Sequence, residues 1–250
     1  MRALLAVLML FVGTARAAER IISLNLCTDQ YLALLAPTRA VALSPLARDP
    51  ALSVVAQAAR DIAWVRPDAE AVLALRPDLV LAGPFGAQTT LAALARRGVP
   101  ILRTGLPQDF PAIRAETRRF AAALDAGKEA ERLLADMDAL LAAIPAHPAR
   151  AVLPLAPRGY LAGPGSLEDS VIRAAGHHNA TRHSRVGLEA ILADPPDLIV
   201  LGDAPGFPSL ATDMVRHPGL AGIPRRSLHP ADMICAGPWT ARAVRDLAAP

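Results

Sequence analysis

One stretch of sequence occurs twice and decides the fold: Glu70-Ala-Val-Leu-Ala-Leu-Arg-Pro-Asp-Leu-Val-Leu-Ala-Gly83 and Glu189-Ala-Ile-Leu-Ala-Asp-Pro-Pro-Asp-Leu-Ile-Val-Leu-Gly202. Eight of the fourteen aligned positions are identical, and four others exchange one apolar residue for another. Each copy predicts the end of a helix, a Pro-Asp turn and a buried strand that a glycine closes. Convergent helix–turn–strand patterns are the alternative explanation. We interpret the match as two similar α/β lobes.

Short apolar strands alternate with helical patterns around the first copy. The sequence predicts strands at 20–25, 40–44, 79–82 and 101–104, and helices at 28–35, 68–75 and 89–97. The same alternation starts again from Ala151. This order is typical of a mostly parallel sheet that is covered by helices.

The segment 109–148 lacks strand character and separates the two alternating regions. Its leucines and a methionine recur at helical spacing between 133 and 141, so we expect two helices, the second from about 125–128 to Ile144. The predicted fold is therefore α/β. Two Rossmann-like lobes with mostly parallel sheets, 18–108 and 149–250, are joined by a long backbone helix and leave a ligand cleft between them.

The first 17 residues have the order of a secretory signal peptide. A basic start is followed by an apolar run from Ala3 to Val12, which is too short to span a bilayer, and then by Ala15-Arg16-Ala17. A buried N-terminal helix is the alternative. We expect cleavage near Ala17 and a soluble periplasmic chain, because no cysteine follows that site to carry a lipid anchor.

Composition excludes several classes of protein. With 53% hydrophobic residues the chain is too apolar for a disordered protein. No uncharged apolar run reaches the length of about 18 residues that a membrane helix needs. Loss of the signal peptide lowers the formal charge from +3 to +1, and the basic residues are scattered among acids. We therefore expect no nucleic-acid partner.

The order of motifs resembles the helical-backbone class of substrate-binding proteins of ABC importers, and within it the binders of cobalamin and ferric siderophores. The resemblance rests on Arg20-Ile-Ile-Ser-Leu-Asn-Leu-Cys-Thr-Asp29, on the blocks 70–80 and 187–200, and on Cys235-Ala-Gly-Pro238. It covers essentially the whole mature chain. It implies a protein that captures a ferric siderophore, a cobalamin-type corrinoid or haem and delivers it to a permease dimer in the inner membrane. We expect a monomer without a resident cofactor.

In that family one glutamate on each lobe docks onto arginines of the permease. The matching positions are Glu70 and Glu189, and the internal repeat superimposes the same two residues. The alternative interpretation is that both are solvated carboxylates, which are favoured at helix starts.

The few aromatic residues indicate where a ligand would lie, because planar chelates are held by aromatic faces and a few polar groups. Three of them fall on loops expected to face the cleft, where the cobalamin relatives carry ligand-contacting aromatics, and a fourth begins the last helix. Ordinary packing is the alternative for each. The candidate ligand-binding residues are Asn25, Cys27, Trp64, Phe85, Tyr160 and Trp239.

One histidine cluster, formed by His177, His178 and His183, is a candidate metal site, since neutral imidazoles ligate iron, cobalt or zinc. Relatives have a Gly-x-x-Asn turn in this stretch, matched here by Gly176 and Asn179. A surface loop is therefore the alternative.

The two cysteines, Cys27 and Cys235, lie on loops that border the expected cleft. After export they would either pair in a disulfide or stay as reactive thiols. Sequence alone does not give the Cα separation that decides between these outcomes.

Two other classes of function are alternatives. A serine hydrolase would need a G-x-S-x-G nucleophile elbow, which Gly163-Pro-Gly-Ser166 does not match, and no dinucleotide, Walker or H-E-x-x-H motif occurs. We therefore expect no enzyme. A binder of free zinc or manganese would draw His and carboxylate ligands from both lobes, whereas the histidines are concentrated in the second half.

Overall fold

The computed structural model describes residues 18–202 and 213–249, so the expected signal peptide lies outside the described residues. The predicted fold class is confirmed: two α/β lobes, each with a four-stranded parallel sheet, are connected by helices. Within these ranges no helix has the length and apolar character that crossing a membrane requires.

The first lobe alternates strands and helices. Its elements are β1 (Ile21–Ser23), α1 (Leu26–Leu35), β2 (Ala40–Ala42), α2 (Ala69–Ala74), β3 (Leu79–Ala82), α3 (Gln88–Arg96) and β4 (Ile101–Arg103). The strands are parallel in the order β2-β1-β3-β4. Ile21 and Leu81 are buried on one face of the sheet, and Ile22 and Val80 on the other. Because both faces of the sheet are buried, the sequence of each strand is a short run of apolar residues.

Two antiparallel helices, α4 (Phe110–Ala123) and α5 (Gly127–Ala142), connect the lobes. Ile113 of α4 and Met137 of α5 pack in the core of the second lobe, whereas Phe120 and Ala130 pack in the core of the first. Each helix therefore spans both lobes. The segment contains the two helices that the sequence predicts, and the second ends at Ala142.

The second lobe repeats the arrangement of the first. Its elements are β5 (Ala151–Leu155), α6 (Leu167–Ala174), β6 (His178–Asn179), α7 (Leu188–Ala193), β7 (Leu198–Gly202), β8 (Arg225–Leu228), α8 (Pro230–Met233) and α9 (Ala241–Ala248). The strand order is β6-β5-β7-β8, again parallel. The order is the same as in the first lobe when β5 is equated with β1, as the internal repeat predicts.

The segment between α8 and α9 returns to the first lobe. Cys235 and Trp239 are buried in the core of the first lobe, where the Trp239 ring lies 5.4 Å from that of Tyr31. Helix α9 then packs in the core of the second lobe through Val244 and Leu247. Within the range 149–250 predicted for the second lobe, Cys235 and Trp239 therefore pack in the core of the first lobe, whereas Ala236 packs against the core of the second.

Candidate functional site

Loops at the carboxyl ends of the two sheets meet between the lobes. A cavity of about 220 Å³ is lined from the first lobe by Cys27 and the loop 104–108, and from the second by Leu167, Glu168 and residues 233–236. Ligands of α/β proteins bind outside the carboxyl ends of parallel strands. The candidate site is therefore this cleft.

A second cavity, of about 280 Å³, adjoins the first at the carboxyl ends of β5, β7 and β8. Glu168, Met233 and Ile234 line both cavities, which are thus parts of one cleft. Most of the other lining residues are apolar, as Leu155 and Val200 are. Together the cavities reach the range of about 300–1,000 Å³ that small-molecule sites occupy.

A buried carboxylate holds the loop that forms the first lobe's wall of the cleft. Glu116 accepts hydrogen bonds from the backbone N–H of Gly105 at 2.7 Å and the hydroxyl of Thr104 at 3.0 Å, and pairs with Arg119 at 2.7 Å. Burial opposes the charge of Glu116, but the hydrogen bonds from Arg119, Gly105 and Thr104 outweigh it and lower the pKa of Glu116. The ionised carboxylate therefore positions this loop at neutral pH.

A second buried carboxylate organises the loops behind the cleft. Asp29 of α1 accepts hydrogen bonds from the backbone N–H of Ser44, at 3.0 Å, and from the Ser44 hydroxyl. Burial raises the pKa of Asp29 to about 6, although hydrogen bonds from Ser23 and Ser44 act in the opposite direction. Asp29 thus ties α1, which carries Cys27, to the loop after β2.

The side chain of Asn25 binds backbone behind the cleft and does not face the cleft. Its side-chain oxygen caps α1 by accepting a hydrogen bond from the backbone N–H of Cys27 at 2.9 Å. Its amide lies against Gly83, where a β-carbon would come within 2.6 Å of the amide nitrogen. Asn25 lines neither cavity, so the structure places this candidate ligand residue behind the cleft.

Cys27 and Cys235 are joined in a disulfide, with Cα atoms 5.1 Å apart. Both residues line the cavity between the lobes. The bond links α1 to the segment that crosses back to the first lobe. Cys27 therefore reaches the cleft as half of a disulfide and not as a free thiol.

Three candidate aromatic residues are exposed at the carboxyl edges of the sheets. Trp64 is 47% exposed and is bridged to Leu43 after β2, Phe85 is 74% exposed after β3, and Tyr160 is 55% exposed after β5. The guanidinium of Arg185 lies 5.5 Å from the ring centre of Tyr160. None of the three lines either cavity, so they are available to a ligand that extends beyond the cleft.

Trp239 differs from the expectation that it contacts ligand. Its side chain is 4% exposed, and its indole N–H donates to the carbonyl of Cys235 at 2.7 Å. Its ring packs on Tyr31, which stacks on Phe120 with ring centres 4.7 Å apart. Trp239 is buried because residues 235–239 cross back to the first lobe. Local sequence patterns do not show this crossing.

Replacing Trp239 with alanine is expected to lower the free energy of unfolding by about 3–5 kcal/mol, because it leaves a cavity in the core of the first lobe. Chemical denaturation of the purified variants measures this loss. Trp64→Ala is the matched control, since its side chain is half exposed, and its stability should stay within about 1 kcal/mol of wild type. Equal stability of both variants would place Trp239 outside the core.

The three candidate histidines do not converge on one point. His177 is buried, with its ring 4.6 Å from that of His147, and it accepts a hydrogen bond from the backbone N–H of Arg150 at 3.3 Å. Burial, with the charge of His147, lowers the pKa of His177. His178 and His183 are exposed and line a separate cavity of the second lobe. In residues 18–202 and 213–249 no three His, Cys, Asp or Glu side chains are grouped to hold a metal ion.

Sequence reasoning missed most of the cleft lining. Glu168 at the start of α6, Met233 and Ile234 at the end of α8, and the loop 104–108 were not among the candidates. Their positions in the sequence could have indicated the site, because each follows a strand of a parallel sheet, and ligands bind at the carboxyl ends of such strands. Reading every loop after a strand, and not the aromatic residues alone, would have found them.

The comparisons with known proteins identify the family and agree with the fold. Residues 21–224 match the family model described as periplasmic binding protein. The chain belongs to this family. A comparison with curated proteins found no match.

Several solved structures share the fold over more than nine-tenths of both chains. The chain is 26% identical to the periplasmic haem-binding protein RhuT from Roseiflexus sp. RS-1, covering 93% of this chain and 97% of that one, with a TM-score of 0.70. It is 20% identical to an ABC-type Fe3+-hydroxamate transport system from Saccharomonospora viridis, covering 92% of each chain, with a TM-score of 0.66. For the periplasmic vitamin B12 binding protein BtuF of Vibrio cholerae the identity is 18%, the coverage 92% and 95%, and the TM-score 0.62.

The two candidate docking glutamates of this periplasmic binding protein occupy equivalent places. Glu70 is the second residue of α2, which precedes β3, and Glu189 is the second residue of α7, which precedes β7. Both are exposed, and neither forms an ion pair with another described residue. Both carboxylates are therefore at the surface of their lobes.

Proposed function

We propose that this periplasmic binding protein captures a metal chelate in the cleft between its lobes and delivers it to an ABC permease of the inner membrane. The observation that carries the proposal is that both lobes line one cavity, at the carboxyl ends of their sheets. A ligand that contacts both lobes fixes their relative position. A permease can then distinguish the loaded protein from the empty one by that position.

The chemistry of the cleft and its surroundings supports a large, partly apolar ligand. The cavity at the carboxyl ends of β5, β7 and β8 has a mostly apolar lining, the cavity between the lobes has a mixed lining that includes Thr104 and Gln108, and exposed aromatic rings lie at the same edges of the sheets. The three similar structures are a haem-binding protein, an Fe3+-hydroxamate transport system and a vitamin B12 binding protein, and haem, Fe3+-hydroxamate and vitamin B12 are all metal chelates. A ferric siderophore, a corrinoid or haem is therefore the ligand class that we propose, with no catalytic step.

Export to the periplasm is part of the proposal. It is supported by the signal-peptide pattern of residues 1–17 and by the disulfide, because disulfides persist in oxidising compartments. Docking of a monomer onto a permease dimer is supported by the equivalent, exposed Glu70 and Glu189.

A binding panel tests the ligand class. Purified protein is titrated with haemin, cyanocobalamin, ferrioxamine B and zinc, and binding is measured by calorimetry and tryptophan fluorescence. The proposal expects saturable binding of at least one chelate at one site. Binding of zinc alone, or of none of the four by folded protein, would overturn it.

Removing an aromatic face is expected to weaken chelate binding. Trp64→Ala and Tyr160→Ala should each cost about 1–3 kcal/mol of binding free energy if their rings stack on the bound chelate. Tyr160→Phe keeps the ring and should bind as wild type does. Leu192→Ala, which removes a half-exposed apolar side chain of α7, is the control for surface truncation. Wild-type affinity in both alanine variants would remove the two rings from the site.

A further inference from the structure

Glu168 is the one ionisable side chain among the described residues that line the two cavities of the cleft. It lines both cavities and therefore lies where they join. The neighbouring lining residues Met233 and Ile234 are apolar. A single carboxylate thus lies where the mostly apolar cavity of the second lobe adjoins the cavity between the lobes.

The carboxylate of Glu168 has no hydrogen-bond or ion-pair partner within the described ranges. The start of α6 does not need it as a cap, because the Ser166 hydroxyl accepts a hydrogen bond from the backbone N–H of Asp169 at 3.1 Å. Asp169 itself is buried and pairs with Arg173 at 3.1 Å. The local structure therefore leaves Glu168 available to a ligand.

Positive charge lies elsewhere on this lobe. Arg158 and Arg185 line a different cavity, which shares no residue with the two cavities of the cleft. The cleft around Glu168 is thus negative, with no lining cation among the described residues to balance it.

A ligand that fills this cleft displaces water from Glu168. A desolvated carboxylate is costly unless it receives a hydrogen bond or faces a cation, and a second anion beside it adds repulsion. We infer that Glu168 is a specificity residue that selects the chelate by charge. The bound chelate presents an N–H, O–H or cationic group to Glu168, and chelates with anionic groups at that place are rejected. This inference rests on the proposed function.

Three pairs of probes test the inference. The two members of each pair share a metal-chelating core and differ in net charge. The pairs are ferrioxamine B and its N-acetylated form, cyanocobalamin and a monocarboxylic acid made from it, and haemin dimethyl ester and haemin. In the pair that the wild-type protein binds, the more negative member should bind about tenfold more weakly, the ratio expected from one charge-assisted hydrogen bond. Glu168→Gln should reduce that ratio to about 1–2.

Glu129→Gln is the matched control, because Glu129 is in the first turn of α5 as Glu168 is in the first turn of α6, but Glu129 is exposed and lines neither cavity. Glu129→Gln changes the net charge and the charge at a helix start as Glu168→Gln does, but it should keep the wild-type ratio of affinities within the probe pair. A ratio that Glu168→Gln leaves unchanged, or that Glu129→Gln reduces equally, would overturn the inference while the proposed function stands. Failure of the wild-type protein to bind any probe would instead refute the proposed function, and the inference with it.

Discussion

Cells that carry the double variant Glu70→Arg/Glu189→Arg are expected to lose uptake of the chelate, although the purified variant binds it as wild type does. Both carboxylates are exposed at equivalent positions of the two lobes, outside the cleft. Substitutions of such surface charges change the free energy of unfolding by about 0.5 kcal/mol or less. Arginines at both positions would face the arginines expected on the permease, and like charges across an interface oppose docking.

The single variants show whether the two glutamates act as a pair. Each should retain partial uptake, because one carboxylate still forms charge-assisted hydrogen bonds with the permease. Glu129→Arg, a charge reversal at another exposed helix start, should transport at the wild-type rate. Normal uptake by the double variant would refute docking through these residues. Loss of affinity in solution would instead place them in the ligand site or the core.

The repeated block made the fold predictable because local patterns specify it. The strand predicted at 79–82 is observed at Leu79–Ala82, and the glycine that closes its counterpart ends β7 at Gly202. Helix and strand periodicities are local properties, so one sequence suffices to read them. The exposure of Glu70 and Glu189 follows from the same repeat, since both stand in the first turn of short helices.

The interior of the site was less predictable because it depends on contacts between distant residues. Trp239 begins a helical segment, yet its ring is buried against Tyr31, more than 200 residues earlier in the chain. His177 faces His147 instead of the histidines beside it in sequence. Glu168 belongs to no motif, and it is distinguished only by the two cavities, in which no other ionisable group of the described residues takes part in the lining.

Loss of the Cys27–Cys235 disulfide is expected to lower the free energy of unfolding by about 2–5 kcal/mol. The two cysteines are 208 residues apart in sequence, so the bond closes a loop that includes most of the chain. Closing so long a loop removes much conformational freedom from the unfolded chain, which is the main way in which a cross-link stabilises a fold. At roughly 2–4 °C per kcal/mol for a chain of this size, the melting temperature should fall by about 4–20 °C.

Thermal unfolding of wild-type protein with and without reductant, beside Cys27→Ser/Cys235→Ser, measures the effect. The double serine variant is the control, because its melting temperature should not respond to reductant and should match that of the reduced wild type. The bond also holds the crossing segment against α1 at the wall of the cleft, so its loss should weaken chelate binding as well. Two thiols that react with an alkylating reagent in the folded, unreduced protein would contradict the pairing. A melting temperature that neither reduction nor substitution changes would show that the packing of Trp239 on Tyr31 holds the crossing without the bond.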